Sequence, residues 1–246
     1  MIKEIRFGEG ACVSYFGSSG SCEKILFHNE VEIVQGSNSY PPIKGFSCLK
    51  SLNIPKRLKA LAYCATDCHS LESIFIPESV ESIGTILTNS AALKSLILPN
   101  SCNKITSQNI VTSCPSLKRI KFPKNPITVE TTFGMLDRSY AIEEIDTSNF
   151  VVESLSNFME YCSSLKEAII PDGVTSIGAY CFRECRTLES VTIPASVETI
   201  GSSFLNGCCA IKQIIFKGTT PPTVTSTILS GAKNKGITVY VPEGSL

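Results

Sequence analysis

One phrase returns along this chain about every 23 residues. It is an apolar residue, two variable ones, then a short β-type run that ends in Pro. It reads Leu-Lys-Ser-Leu-Asn-Ile-Pro at Leu49–Pro55 and Leu-Glu-Ser-Ile-Phe-Ile-Pro at Leu71–Pro77. It recurs at Leu93–Pro99, Leu117–Pro123, Leu165–Pro171 and Leu188–Pro194. The first apolar positions are Leu49, Leu71, Leu93, Leu117, Ile142, Leu165, Leu188 and Ile211, in steps of 22, 22, 24, 25, 23, 23 and 23. With a fixed period of this length, each repeat is a unit that buries its apolar face only by stacking on its neighbours.

Apolar residues at positions 1, 4 and 6 of the phrase are the mark of a leucine-rich repeat. The expected fold is an α/β-type repeat solenoid: a right-handed coil with one curved parallel β-sheet face and short extended or helical outer segments. Two degenerate rungs, Ile2–Phe7 and Cys22–Phe27, precede the regular ones, and Ile237–Pro242 follows them. About eleven rungs are therefore expected. Stacked repeats share one continuous core, so residues 1–246 form a single domain in this reading. Residues 1–48 are its degenerate start, 49–216 its regular repeats and 217–246 its last rung.

The rest of the repeat is patterned too. After Pro171 come Val174, Ile177-Gly178, Cys181-Phe182, Cys185 and Leu188, and after Pro194 come Val197, Ile200-Gly201, Phe204-Leu205, Cys208 and Ile211. Pro ends the strand because it has no N–H for the ladder. A short extended piece near Val174–Ile177 should turn the corner, with Gly178 allowing a bend. One or two helical turns should follow, with Cys181 and Phe182 pointing inward. Cys68, Cys114, Cys162, Cys185 and Cys208 each stand three residues before a strand phrase, and Ser90 and Ser139 take that place in two other repeats. One rung departs from the pattern: Thr147-Ser148 replaces Ile-Pro, and its incoming segment Asn125–Tyr140 is long and irregular.

The string Ile-Pro-x-x-Val-x-x-Ile-Gly-x-x-Ala/Cys-Phe-x-x-Cys-x-x-Leu resembles the BspA-like class of bacterial leucine-rich repeats. The likeness covers Leu49–Phe216 well, and Lys217–Pro222 with Val239–Gly244 resembles that family's usual last rung. The resemblance implies a cell-surface or secreted bacterial protein that binds host proteins or other cells through its repeats. It implies no catalysis and no cofactor.

Lys+Arg and Asp+Glu both number 22. A nucleic-acid partner calls for a basic excess, which the totals do not show. No run approaches the roughly 18 to 20 apolar residues of a membrane span. The start Met1–Gly8 reads as a strand with interspersed charges and not as a signal peptide. The closing strand has no capping segment, and an open sheet edge invites pairing. The expectation is a monomer or weak end-to-end self-association, with a continuing polypeptide or a partner chain over the last rung.

The twelve cysteines allow three readings. Buried Cys packs as a small hydrophobe, so a ladder of free thiols is the first. A disulfide among Cys12, Cys22 and Cys48, which lie outside the ladder, is the second. Zinc is the third, but it needs two converging Cys pairs, and Cys64/Cys68 and Cys181/Cys185 occupy different inward positions. His69 follows Cys68, and a Cys–His dyad can make a nucleophile; here no third orienting group is evident, so His69 reads as a polar corner residue. Gly17-Ser18-Ser19-Gly20 lacks the Gly-Lys-Ser/Thr ending of a phosphate loop and reads as a turn.

Strand side chains alternate between faces, so positions 3 and 5 of each phrase face outward. Two outward features stand out: Phe75 beside Ile97, and the basic rung Arg119/Lys121 beside the acidic rung Glu144/Asp146. Opposite charges on neighbouring strands can stabilise a sheet by about 0.2 to 1 kcal/mol, which accounts for the pattern without a ligand. The functional reading is a non-enzymatic recognition module of adhesion type. Its open face, with Phe75, Ile97, Arg119, Lys121, Glu144 and Asp146 as candidate contacts, would bind a protein or glycan, for example of host extracellular matrix. The alternative is a spacer within a longer surface protein, with no ligand of its own.

Overall fold

The computed structural model describes residues 3–9, 12–13, 20–28, 32–33, 41–130, 134–225, 227–229 and 236–245, with backbone alone at 12–13 and 32–33. Every strand pairing is parallel, and each joins equivalent positions of successive repeats. Ser51 pairs with Ser73, Ser95 with Arg119, and Ile193 with Phe216. The open-face strands are Glu4–Phe7, Lys24–Phe27, Ser51–Asn53, Ser73–Phe75, Ser95–Ile97, Arg119–Lys121, Glu167–Ile169, Ser190–Ile193, Gln213–Phe216 and Thr238–Tyr240. A second face is built from two-residue to three-residue strands, from Ala60–Leu61 through Ile127–Val129 to Phe150–Val151, then from Ser154–Leu155 to Thr223–Val224.

Apolar positions 1, 4 and 6 are buried as the alternation requires: Leu49, Leu52 and Ile54 in one turn, Leu188, Val191 and Ile193 in another. They belong to a single cluster that runs from Cys22 to Ile214. The solenoid has about nine complete turns, not the expected eleven or so. Glu4–Phe7 and Thr238–Tyr240 are the first and last open-face strands among the described residues.

No helix occurs among the described residues, so the α/β-type label and the expected helical outer turns are corrected. The cause lies at the residue before each Cys-ladder position. Asp67, Asn89, Ser113, Arg138, Tyr161 and Glu184 all have positive φ, between 54° and 64°. A left-handed residue interrupts an α-helical run. In Asp67, Asn89, Ser113, Tyr161 and Glu184 the N–H bonds across to the next turn: Asn89 to the Thr112 carbonyl at 3.0 Å, Tyr161 to Arg183 at 2.8 Å, Glu184 to Asn206 at 2.7 Å. These bonds offset the cost of the unusual backbone and tie each turn to the next.

Composition decides how the outer corner is finished. In the N-terminal half it holds Ile43–Lys44, Ala65–Thr66, Leu87–Thr88 and Val111–Thr112, which form a third parallel sheet; β-branched residues suit strands. In the C-terminal half the corner positions are Phe158, Phe182 and Phe204, which pack edge-to-face at 6.4 and 5.6 Å between centroids along the axis.

The glycines that follow Ser176–Ile177 and Thr199–Ile200 have a role other than the expected bend. A Cβ on Gly201 would lie 2.7 Å from the Ala179 nitrogen and 2.8 Å from the Gly178 carbonyl carbon; on Gly178 it would lie 2.9 Å from the Leu155 oxygen. These glycines let one turn approach the backbone of the turn before it.

The irregular rung leaves its mark on the open face. Between Arg119–Lys121 and Glu167–Ile169 the ladder shrinks to one bridge, Arg119 to Glu144. Thr147, which replaces the usual apolar residue, is buried, and its hydroxyl donates to the Ile169 carbonyl at 2.9 Å.

Candidate binding surface

Positions 3 and 5 of the strands do face outward in the middle of the solenoid. Phe75, Ile97, Arg119, Lys121, Glu144 and Asp146 are all exposed, and Phe75 and Ile97 each keep 59% of their surface open. Ile97 pairs directly with Lys121. The six residues occupy four successive rungs, about 14 Å at the usual strand spacing. Ser73–Phe75 and Ser95–Ile97 belong to separate hydrogen-bonded sheets, so Phe75 and Ile97 share a face without a ladder between them.

The expected compensation of the two charged rungs takes a different form. Among the described residues, no ion pair joins Arg119 or Lys121 to Glu144 or Asp146. The pairing lies one position earlier, where Lys118 meets Glu143 at 2.8 Å. That bond to Lys118 lowers the Glu143 carboxyl below its ordinary pKa. Two turns on, Lys212 and Glu189 pair at 2.8 Å in the same row. Asp146 turns to its own loop and accepts the Ser148 N–H at 3.0 Å, and hydrogen bonds from Ser148 lower its pKa. The outward cations at positions 3 and 5 therefore stay open to solvent beside two apolar side chains. The position-2 row of paired charges was not singled out in the sequence, although Lys118, Glu143, Glu189 and Lys212 all stand directly after the first apolar residue.

The buried cysteines are unsuited to chemistry. Cys22, Cys64, Cys68, Cys102, Cys114, Cys162, Cys181, Cys185 and Cys208 are buried free thiols, while Cys48 and Cys209 are exposed and also free. Burial pushes Cys68 and Cys114 up to about 11 and Cys64, Cys162, Cys181 and Cys208 up to about 12. A nucleophilic or metal-binding Cys needs the thiolate, which such burial suppresses. The side chain of Cys12 and the residues Gly17, Ser18 and Ser19 lie outside the described residues. Among those described, no three His, Cys, Asp or Glu side chains gather as a metal site, and no helix is long and apolar enough to cross a membrane.

His69 takes part in another feature. It sits at one end of a shallow groove of about 270 Å³ with Asn89, Ala91, Ser113, Pro115, Arg138 and Tyr140. The groove runs along the corner that precedes the open-face strands. The buried Cys68 thiol instead lies 3.6 Å from the Thr66 carbonyl, so no dyad forms.

Comparison with known proteins places the architecture. The family model described as a BspA type leucine rich repeat region matches in 6 copies, over residues 13–135, 44–163 and 153–233. A leucine-rich repeat protein from Bacteroides ovatus shares 20% identity at a TM-score of 0.56, over 91% of this chain and 66% of that one. A leucine rich cell surface protein from Faecalibacterium prausnitzii shares 20% identity at a TM-score of 0.44, over 88% of this chain and 60% of that one. The chain thus spans about two thirds or less of these solved chains. No curated protein matches it significantly. With repeat period, buried positions and matched segments in agreement across most of its length, the chain belongs to the family of BspA-type leucine-rich repeat proteins.

Proposed function

We propose that this chain is a non-enzymatic recognition module of a bacterial cell-surface or secreted protein, which binds a protein or glycan partner through its open sheet face. One observation carries the reading. Phe75 and Ile97 are exposed beside Arg119 and Lys121, and these two cations make no ion pair with the acidic residues of the adjoining rung. An apolar centre with a charged border is how many interfaces are built, and charges that do not compensate one another can meet a partner's. Phe75, Ile97, Arg119, Lys121, Glu144 and Asp146 are the contacts in this reading, and residues 1–246 act as a single repeat domain.

The test is a binding screen of the purified protein against immobilised extracellular-matrix proteins and glycans, beside a Phe75→Asp/Ile97→Asp variant of matched thermal stability. Binding by the parent that the variant loses supports the open face. Binding that survives the double change removes this site. No binding by either protein favours a spacer segment, to which the paired row of Lys118, Glu143, Glu189 and Lys212 already lends structural support.

A further inference from the structure

The corner groove has two chemically different walls, and the repeat explains why. Each turn contributes the residue before its ladder position to one wall and the residue after it to the other. The first wall is Asn89, Ser113 and Arg138; the second is Ala91, Pro115 and Tyr140. One wall is therefore hydrogen-bonding and cationic, the other apolar and aromatic. In the row after the ladder, Ala91 and Pro115 are low, while His69 and Tyr140 are bulky and stand three turns apart. They close the groove at a length of about 14 Å.

The side chains are disposed to receive a ligand. Tyr140 keeps 43% of its surface exposed. The Arg138 side chain is 65% exposed, and its nearest carboxylate, Asp137, stands 3.9 Å away, at the loose limit of an ion pair. Asn89 donates its amide N–H to Asp67 at 2.8 Å, which fixes the side chain and leaves its amide oxygen as an acceptor. Among the described residues, Arg138 is the cation that lines the groove and no carboxylate lines it; Asp67 and Asp137 stand behind Asn89 and Arg138.

We propose that this groove is a saccharide site that takes one sugar unit bearing a carboxylate, as in a uronic or sialic acid. A pyranose matches the two walls. Its C–H face packs on the Tyr140 ring and Pro115. Its hydroxyls meet Asn89 and Ser113, and its carboxylate meets the Arg138 guanidinium, whose planar fork suits that group. A volume of about 270 Å³ lies just below the range usual for small-molecule sites, which favours a single sugar unit over a folded partner or a long peptide. The site is separate from the open-face contacts of Phe75 and Ile97 and stands or falls independently of them.

The experiment titrates the purified chain with glucuronic acid and with N-acetylneuraminic acid, with glucose as the neutral control, and reads chemical shifts by NMR. The two acids separate the sources of the carboxylate. At least one acid is expected to bind about tenfold more tightly than glucose. Arg138→Gln should abolish that preference, Tyr140→Ala should weaken binding about tenfold, and Tyr140→Phe should preserve it. Phe75→Asp should leave it unchanged. Unfolding curves for each variant separate lost binding from lost fold, and Arg138→Gln alone, at an exposed side chain, keeps the test decisive. The proposal is overturned if neither acid binds at tens of millimolar, if glucose binds as well as the acids, or if Arg138→Gln has no effect.

Discussion

The thiol of Cys208 donates to the carbonyl oxygen of Phe182 at 3.1 Å, across one full turn of the solenoid. Cys185 repeats the contact with Met159, also at 3.1 Å. The recurring Cys is thus more than a small apolar filler: in these turns it supplies a buried carbonyl with a donor. Ser90 and Ser139 hold the same ladder position, and their buried hydroxyls have no hydrogen-bond partner among the described residues.

That contrast predicts that Ser90→Cys and Ser139→Cys stabilise the protein. An unpaired buried hydroxyl costs about 1 to 3 kcal/mol, and a thiol carries a smaller desolvation cost. Thermal unfolding should show a rise of about 2 to 4 °C per kcal/mol regained. A fall in Tm for both substitutions would remove the argument.

Alkaline pH should destabilise the fold through the same thiols. Their folded pKa values are raised to about 11 or 12 by burial, while an unfolded thiol titrates near 8.5. The stability this confers is complete below the unfolded pKa. It falls as pH rises from there towards the folded values, because the unfolded chain releases the protons first. Urea midpoints at pH 7.5 and 10 should differ in that direction, and the difference should shrink in a Cys162→Ala/Cys208→Ala variant compared with its own pH 7.5 value.

Alkylation of the native protein at pH 8 should mark Cys48 and Cys209 and spare the nine buried thiols, among the described cysteines. Peptide mass spectrometry before and after denaturation reads this directly. Fast modification of Cys181 or Cys185 in the native protein would contradict the burial.

Gly201→Ala should cost about 1 to 3 kcal/mol by overpacking, since its Cβ would meet main-chain atoms at 2.7 and 2.8 Å. Gly8→Ala is the control, with nothing within 4 Å of the added carbon. Equal unfolding free energies for the two variants would show that the turns have room to separate.

Ile193→Ala empties a core position that is 1% exposed and should cost about 2 to 5 kcal/mol. Each turn contacts mainly its neighbours, so hydrogen exchange should quicken first in the turns of Val191 and Ile214. Uniform loosening from end to end would argue for a more cooperative solenoid.

The period, the parallel stacking and the inward positions were legible along the chain. They depend on which residues alternate within a phrase, and Leu188-x-x-Val191-x-Ile193 states that alternation without help from distant residues. The same alternation identified Phe75 and Ile97 as outward-facing. The conformation of the outer corner was not legible. Whether Asp67, Tyr161 and Glu184 continue a helical turn or adopt positive φ depends on a carbonyl in the next turn, at Thr88, Arg183 and Asn206. The charge pattern was half legible: the residues were visible, but the pairing of Lys118 with Glu143, and not Arg119 with Glu144, depends on how side chains of adjoining rungs lean.

The sequence by itself therefore determined the repeat, its core and the family, because burial at a fixed period is a local property of each phrase. Only the tertiary structure decided the absence of helix among the described residues, the close approach at Gly178 and Gly201, and the two-walled groove from His69 to Tyr140. Each of these arises from groups 21 to 25 residues apart that meet only when one turn is laid upon another.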